Sequence, residues 1–376
     1  MTIFTVYFCG TGSNKFDSIN KNFWDGELIS TLANNNAGRE FADWTVIDGP
    51  GSGNLQADEM FTKSKEYGLS GTLFGKGWHE NVSHALHMIK GKCDWQRTQL
   101  TEANYKTLKA AGIPIDEVKI TGTYLWRKYN YGDRKVTPQN IQEQIINIFR
   151  KGSIIPTQVN LVGWSRGGVS CHMLANAMLA DSELKHIKVN IFAVDPVPGA
   201  LNFQGEKVTL GSNVSEYVGF YARDERSKGF SCVIPTTHSS TNVHIYPMAG
   251  RHATLVGNAA VNGSEGPKVL HEPGRIVRHF AEKCLTRWGV KLDKKLNLGA
   301  AEIANFHDAI VRGEQYYVAM RKQSYTVLTE QERDQRLVTF GSHGVHFTAI
   351  EGDQFQPAKG LAGSLSATND TYKNLH

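Results

Sequence analysis

The stretch Val159-Asn160-Leu161-Val162-Gly163-Trp164-Ser165-Arg166-Gly167-Gly168 limits what this chain can fold into more than any other. Its apolar start reads as a buried strand, and Val169 to Leu179 has helical spacing. The backbone must therefore pass from strand to helix within a few residues, with Ser165 at the bend. Gly163 and Gly167 bracket that serine at i−2 and i+2, where any side chain would collide with the strand or the following helix. Gly-x-Ser-x-Gly in a strand-turn-helix setting is the pattern of a nucleophile elbow. The competing reading is a glycine-flanked surface serine that only closes a tight turn.

With 376 residues the chain can hold one large α/β domain or two smaller ones. Hydrophobic residues at 40% and charged residues at 20% exclude disordered and fibrous classes. A formal charge of +5 without a basic run is compatible with transient contact at an anionic membrane surface, but it is no nucleic-acid signature. The five cysteines are scattered and form no Cys-x-x-Cys pair, so neither a disulfide framework nor a zinc site is expected. No metal and no other cofactor is called for. Met1 to Cys9 lacks a basic region followed by a signal-length apolar stretch, and no span of about 18 apolar residues occurs. The expectation is a soluble protein, cytoplasmic in the producing cell, whose export would need a route without a cleaved signal.

Thr2 to Cys9 predicts a core strand ending in the loop Gly10-Thr11-Gly12-Ser13-Asn14. Further strands are expected at Trp44 to Ile47, Val189 to Val194, Ser215 to Ala222 and Asn242 to Tyr246. Helices are expected at Asn81 to Lys90, from Thr137-Pro138 through Phe149, at Pro273 to Trp288, and over Ala300 to Arg321. This alternation argues for a mostly parallel central sheet with helices on both faces over residues 1–290, interrupted by an insertion at about 92–135 with some helix around Glu102 to Ala111. Residues 291–376 read as a helical extension followed by a loose polar tail after Gln354. The segments Asn54 to Trp78 and Cys93 to Tyr131 are long enough to form a lid over a pocket.

A serine hydroxyl needs an imidazole to take its proton and a carboxylate to orient that imidazole. In α/β-hydrolases the three follow in the order serine, acid, histidine. His252, in a glycine-bounded loop after the last core strand, fits the base; His172, on the helix after the elbow, reads as packed or solvated, and His238, His271 and His343 are fallbacks. Two acids compete. Asp195 ends one strand at the stiff turn Pro196-Val197-Pro198-Gly199, an arrangement resembling that of pancreatic-type lipases. Asp224 ends the next strand within Ala222-Arg223-Asp224-Glu225-Arg226, which could equally be a structural ion-pair cluster. Backbone N–H groups must hold the developing oxyanion, and the candidates are Arg166, after the nucleophile, and the loop Gly10, Thr11, Gly12. That loop lacks the spacing of a dinucleotide fingerprint or a Walker A motif.

With these residues in place, the chain resembles the α/β-hydrolase domain family that includes bacterial type VI secretion phospholipase effectors. The resemblance covers roughly residues 3–290 and lies in Tyr7 to Gly12, Val46 to Gly53, Gly75-Lys76-Gly77, Gly163 to Gly168, Ala222 to Arg226, and Tyr246 to His252. Gly10 stands where the family has an aspartate, and Leu255-Val256-Gly257 replaces a longer glycine-rich run. The resemblance implies an α/β-hydrolase fold and a serine esterase acting on lipid, of the phospholipase A kind, with Ser165 as nucleophile and His252 as base. It further implies a secreted bacterial effector; protein partners are not specified. The alternatives are an inactive binding module on the same fold, or a peptidase or thioesterase using the same triad.

Overall fold

A computed structural model of the chain describes residues 2–50, 78–91, 119–121, 128–130, 155–199, 202–323 and 336–346, together with Tyr372 and Leu375. In chain order the elements are β1 (Ile3–Phe8), α1 (Leu28–Asn34), β2 (Trp44–Ile47), α2 (Trp78–Lys90), β3 (Lys119–Thr121), β4 (Lys128–Asn130) and β5 (Gln158–Trp164). There follow α3 (Arg166–Ala180), β6 (Lys188–Val194), α4 (Gly205–Val208), β7 (Val214–Ala222), β8 (Cys232–Ile234) and β9 (Asn242–Met248). The chain continues through α5 (Glu272–Arg287), α6 (Ala300–Arg312), α7 (Glu314–Met320), β10 (Leu337–Phe340) and β11 (His343–His346). The helix expected from Thr137, the helix around Glu102, and most of the proposed insertion and lid segments lie outside the described residues.

Six strands form a sheet in the order β2-β1-β5-β6-β7-β9, and every pairing in it is parallel. The fold is α/β, consistent with a hydrolase-like arrangement. Its strands are nearly continuous runs of buried apolar residues, as a sheet covered on both faces requires. One face packs Phe4, Val6, Leu161, Ile191 and Tyr217 against α2 and α3; the other packs Tyr7, Val162, Phe192, Phe220 and Tyr246 against α1, α5 and α6. The strand alternation seen in the sequence thus separates two cores.

Strand order also fixes where a site can form. From β1 the chain moves outward to β2, then returns to the other side of β1 with β5 and proceeds toward β9. The direction of winding therefore reverses between β1 and β5, which opens a crevice at their carboxyl ends. Phe8 pairs with Gly163, and Trp164 with Val194, so the loop after β1, the turn after β5 and the turn after β6 share one edge of the sheet.

Two departures from the sequence reading have local causes. The helix expected over Ala300 to Arg321 is broken at Gly313 into α6 and α7, since Gly313 closes α6 through its N–H to Ala309 and then begins the next helix. The tail is held at its end: Tyr372 and Leu375 are buried, and the Tyr372 ring lies 4.2 Å from that of Phe280. A tail of mixed polar composition hides one aromatic anchor of this kind. Among the described residues no helix is long and apolar enough to cross a membrane.

Candidate active site

The elbow begins with backbone constraint. Ser165 sits at φ 58°, ψ −128°, between β5 and α3. For a residue with a side chain this region costs about 1–3 kcal/mol and persists only where the surroundings impose it. Here the Ser165 N–H donates to the Val194 carbonyl at 3.0 Å, and the Ser165 carbonyl accepts from Val197 N–H at 3.2 Å. The flanking glycines are required by close approach of backbone. A Cβ at 163 would lie 2.3 Å from the Gly167 oxygen, and a Cβ at 167 would lie 2.2 Å from the Phe8 oxygen. Both glycines that the motif singled out therefore let the strand, the turn and the helix crowd together.

Asp195 follows β6 at a second strained position, φ 43°, and its carboxylate is fully buried. Its Oδ2 meets Nδ1 of His252 at 2.5 Å, joining residues 57 apart in sequence. His252 opens the short 3-10 turn His252–Val256 after β9. Its ring is held between Trp164, at a centroid distance of 5.1 Å, and Phe230, at 5.1 Å edge-on. Trp164 is the residue before Ser165, so the imidazole lies against the elbow itself. Its Nε2 is buried and has no hydrogen-bond partner among the described residues, Ser165 included. Catalytic hydrogen bonds often form only when substrate arrives, so an unpartnered Nε2 is compatible with a role as a base.

Arg336 was not singled out from the sequence. It precedes β10, which pairs in parallel with β8, and it is buried. Its Nη1 donates to Asp195 Oδ1 at 2.5 Å and to the Ala222 carbonyl at 2.5 Å; Nη2 donates to Asp195 Oδ2 at 2.9 Å and to the Phe230 carbonyl at 2.8 Å. The Ala222 N–H completes the shell of Asp195 at 3.0 Å. Burial alone would raise the Asp195 carboxyl; the Arg336 charge and the His252 bond more than offset it and hold the group below the usual carboxylate range. The β-rich run Leu337 to Phe340 was the one available hint of a strand here, and it carries no information about which strand tip it reaches.

Asp224 is used differently. Its Oδ2 accepts from Gly250 N–H at 2.9 Å, and its oxygens accept from Arg223 at 3.0 Å and Arg321 at 2.8 Å. Glu225, also buried, takes Arg251 Nε and the His252 N–H, each at 3.3 Å. Burial would raise the Glu225 carboxyl, and the charges of Arg251 and Arg336 bring it below its ordinary value instead. The Asp-Glu pair after β7 thus grips the backbone of the loop carrying His252, and Arg223 and Arg321 tie it to α7 through Glu314 and Asp224.

The loop after β1 lies beside the elbow. Thr11 Oγ1 accepts from Arg166 Nη1 at 3.3 Å, while Arg166 Nε reaches the Pro198 carbonyl at 3.5 Å, so this side chain spans the loop and the turn after Asp195. Burial lowers the Arg166 guanidinium to about 10. Arg166 is the first residue of α3, where amides point away from the helix's own carbonyls. One expected donor is otherwise engaged: the Gly12 N–H bonds the Pro50 carbonyl at 3.1 Å, which narrows the loop's candidates to Gly10 and Thr11. Beyond Thr11 and Gly12 opens a polar cleft of about 560 Å³ bordered by Ser13, Asn20, Asn258 and Glu265.

Other histidines lie elsewhere. His172 is buried, with Nδ1 on the Lys207 carbonyl at 2.8 Å and Nε2 near the Tyr217 hydroxyl at 3.3 Å, and burial lowers it to about 4. His238 is exposed and bonds Ser240, His271 stands at the N-cap position of α5 without a side-chain capping bond, and His343 opens β11. Among the described residues no group of three or more histidine, cysteine, aspartate or glutamate side chains is placed to hold a metal ion.

No protein-family model and no curated protein matches the chain. Among solved structures it is similar to an uncharacterized protein from Pseudomonas aeruginosa, at 13% identity and a TM-score of 0.43, over 77% of this chain and 46% of that one. The chain therefore spans about half the length of that protein. It is also similar to the Tle1 effector bound to the VgrG spike from the Type 6 secretion system, at 11% identity and a TM-score of 0.43, over 98% of this chain and 92% of that one. Likeness this distant says nothing about chemistry, which has to be read from the site.

Proposed function

We propose that the protein is a serine hydrolase that cleaves carboxylic esters of lipids, in the manner of a lipase or phospholipase A, through an acyl-enzyme. Ser165 Oγ attacks the ester carbonyl while His252 Nε2 takes its proton; Asp195, on Nδ1, selects the tautomer and faces the imidazolium as it forms. The amides of Arg166 and of Gly10 or Thr11 receive the tetrahedral oxyanion. Its collapse expels the alcohol, protonated by His252, and water activated by the same ring then releases the acid. The observation that carries this reading is the buried bond between His252 Nδ1 and Asp195 Oδ2, on a ring packed against Trp164 whose other nitrogen has no hydrogen-bond partner among the described residues. Lipid as the substrate class, and delivery as a secreted effector acting at a membrane surface, rest on the family resemblance.

Ser165→Ala is expected to lose turnover of a p-nitrophenyl ester by at least ~10⁴-fold while keeping the native melting temperature. Retained turnover would remove the elbow from the reaction. Release of fatty acid from phospholipid vesicles, set against hydrolysis of a peptide amide and a thioester, then separates the lipid reading from a peptidase or thioesterase with the same triad.

A further inference from the structure

We propose that Arg336 is a positioning residue for this reaction: its guanidinium fixes the Asp195 carboxylate in the orientation that meets His252 and balances its charge. The inference rests on reading Ser165, His252 and Asp195 as a triad. It also gives part of the C-terminal segment a place in the chemistry, since Arg336 lies 141 residues beyond Asp195 in sequence.

Docking β10 alone would not need this geometry. The carbonyls of Ala222 and Phe230 already accept from Arg336 and would anchor the strand. The guanidinium also spans both oxygens of Asp195, a planar fork on a planar acceptor that sets the plane of the carboxylate. With the Ala222 N–H on Oδ1, the carboxylate has one direction left, and His252 occupies it. The other groups facing Asp195 cannot supply the balancing charge. Tyr217 and Tyr221 on β7 and Cys232 on β8 are buried, and burial drives all three up, Cys232 to about 12, so they stay neutral. Glu225, after β7, is an anion, and Arg226, lowered to about 10 by burial, bonds the carbonyls of Arg223 and Glu225. Arg336 is thus the cation in direct contact with Asp195 among the described residues.

Without that cation the Asp195–His252 pair holds its proton to higher pH. Arg336 is what lowers the Asp195 carboxyl against its burial, so the carboxylate is harder to ionise once that charge is gone, and the two hydrogen-bonded groups titrate as a pair. The ascending limb of the pH–rate profile should therefore move upward.

The test measures kcat/KM on p-nitrophenyl butyrate, and the rate of fluorophosphonate labelling, against pH for wild type, Arg336→Gln and Arg336→Lys. Arg336→Gln is expected to lose about 100-fold in kcat at neutral pH with KM little changed, as for a misplaced catalytic group. Its ascending limb should move up by about one pH unit, so that alkaline pH restores part of the rate. Arg336→Lys keeps charge but loses the fork, and should lose about 10-fold with the limb in place. A folded Arg336→Gln with wild-type kcat and an unmoved limb overturns the inference, as does an equal loss in both variants with no movement of either limb. Should Arg336→Gln lose its native melt, Arg336→Lys decides alone, and a wild-type rate there overturns the proposal. Wild type that does not label at Ser165 would instead defeat the triad reading; labelling that is insensitive to Arg336 defeats only this one.

Discussion

Two aspartates stand at the tips of neighbouring strands, both fully buried, both bonded to arginine, and only one touches an imidazole. Asp195 divides its oxygens among Arg336, the Ala222 N–H and His252. Asp224 spends its capacity on Arg223, Arg321 and the Gly250 N–H. Burial and charge pairing are common to both, so what distinguishes Asp195, the acid of the proposed triad, is its contact with the His252 ring. The second cluster serves the first from behind, because the loop held by Asp224 and Glu225 is the one that presents His252.

If that division of labour holds, the two sites should fail in different ways. The largest effect belongs to Asp195→Asn, which should lower kcat on a soluble ester by about 10⁴-fold through the wrong imidazole tautomer. Asp224→Asn takes the buried carboxylate from Arg223, which keeps its pair with Glu314, and from the partly buried Arg321. Breaking a buried pair costs roughly 3–5 kcal/mol, less here because Arg321 reaches solvent, so the loss should appear in the melting temperature well before it appears in kcat. An Asp224→Asn variant that melts like wild type but has lost turnover would exchange the two roles.

Acid titration sharpens the same contrast. Asp195 and Glu225 are both held below the ordinary carboxylate range in the folded state. Their stabilisation is fully present above the unfolded value of about 4 and is lost as pH falls through the lower folded values. Denaturant melts should show a loss of stability below about pH 4 that is smaller in Asp195→Asn than in wild type, on top of the loss from about pH 6.5 downward that both share through the buried His172, lowered to about 4. The smallest effect is expected for Glu314→Gln. Its carboxylate is substantially exposed, so removing its pair with Arg223 should cost no more than about 1 kcal/mol in a urea melt and leave kcat unchanged.

What the sequence made legible follows from how local each signal is. The elbow was readable because its strand, its glycines and its helix lie within about two dozen residues, and the steric need for Gly163 and Gly167 is short-range. The six sheet strands could be found from β-branched and apolar runs, although α1, buried on nearly every side, has no amphipathic period to reveal it. Asp195 and His252 were reachable only through the rule of chain order, and it left Asp224 standing, since an Asp-Pro turn and an Arg-Asp-Glu-Arg run both look like anchored carboxylates. Arg336 could not be tied to Asp195 from sequence: the contact follows from the pairing of β10 with β8, a choice made by packing across about a hundred residues of intervening chain. The bond of the Gly12 amide is invisible in the sequence for the related reason that its acceptor, Pro50, comes from the loop after another strand.

The central claim is that the Ser165 hydroxyl is activated by the His252 ring. Intact-mass measurement of fluorophosphonate labelling, run side by side on wild type, Ser165→Ala and His252→Ala, tests it most directly. One adduct on wild type, mapped to Ser165, with none on Ser165→Ala and a severely slowed reaction on His252→Ala, is the expected result. Undiminished labelling of His252→Ala, or an adduct on wild type at any other residue, would contradict it.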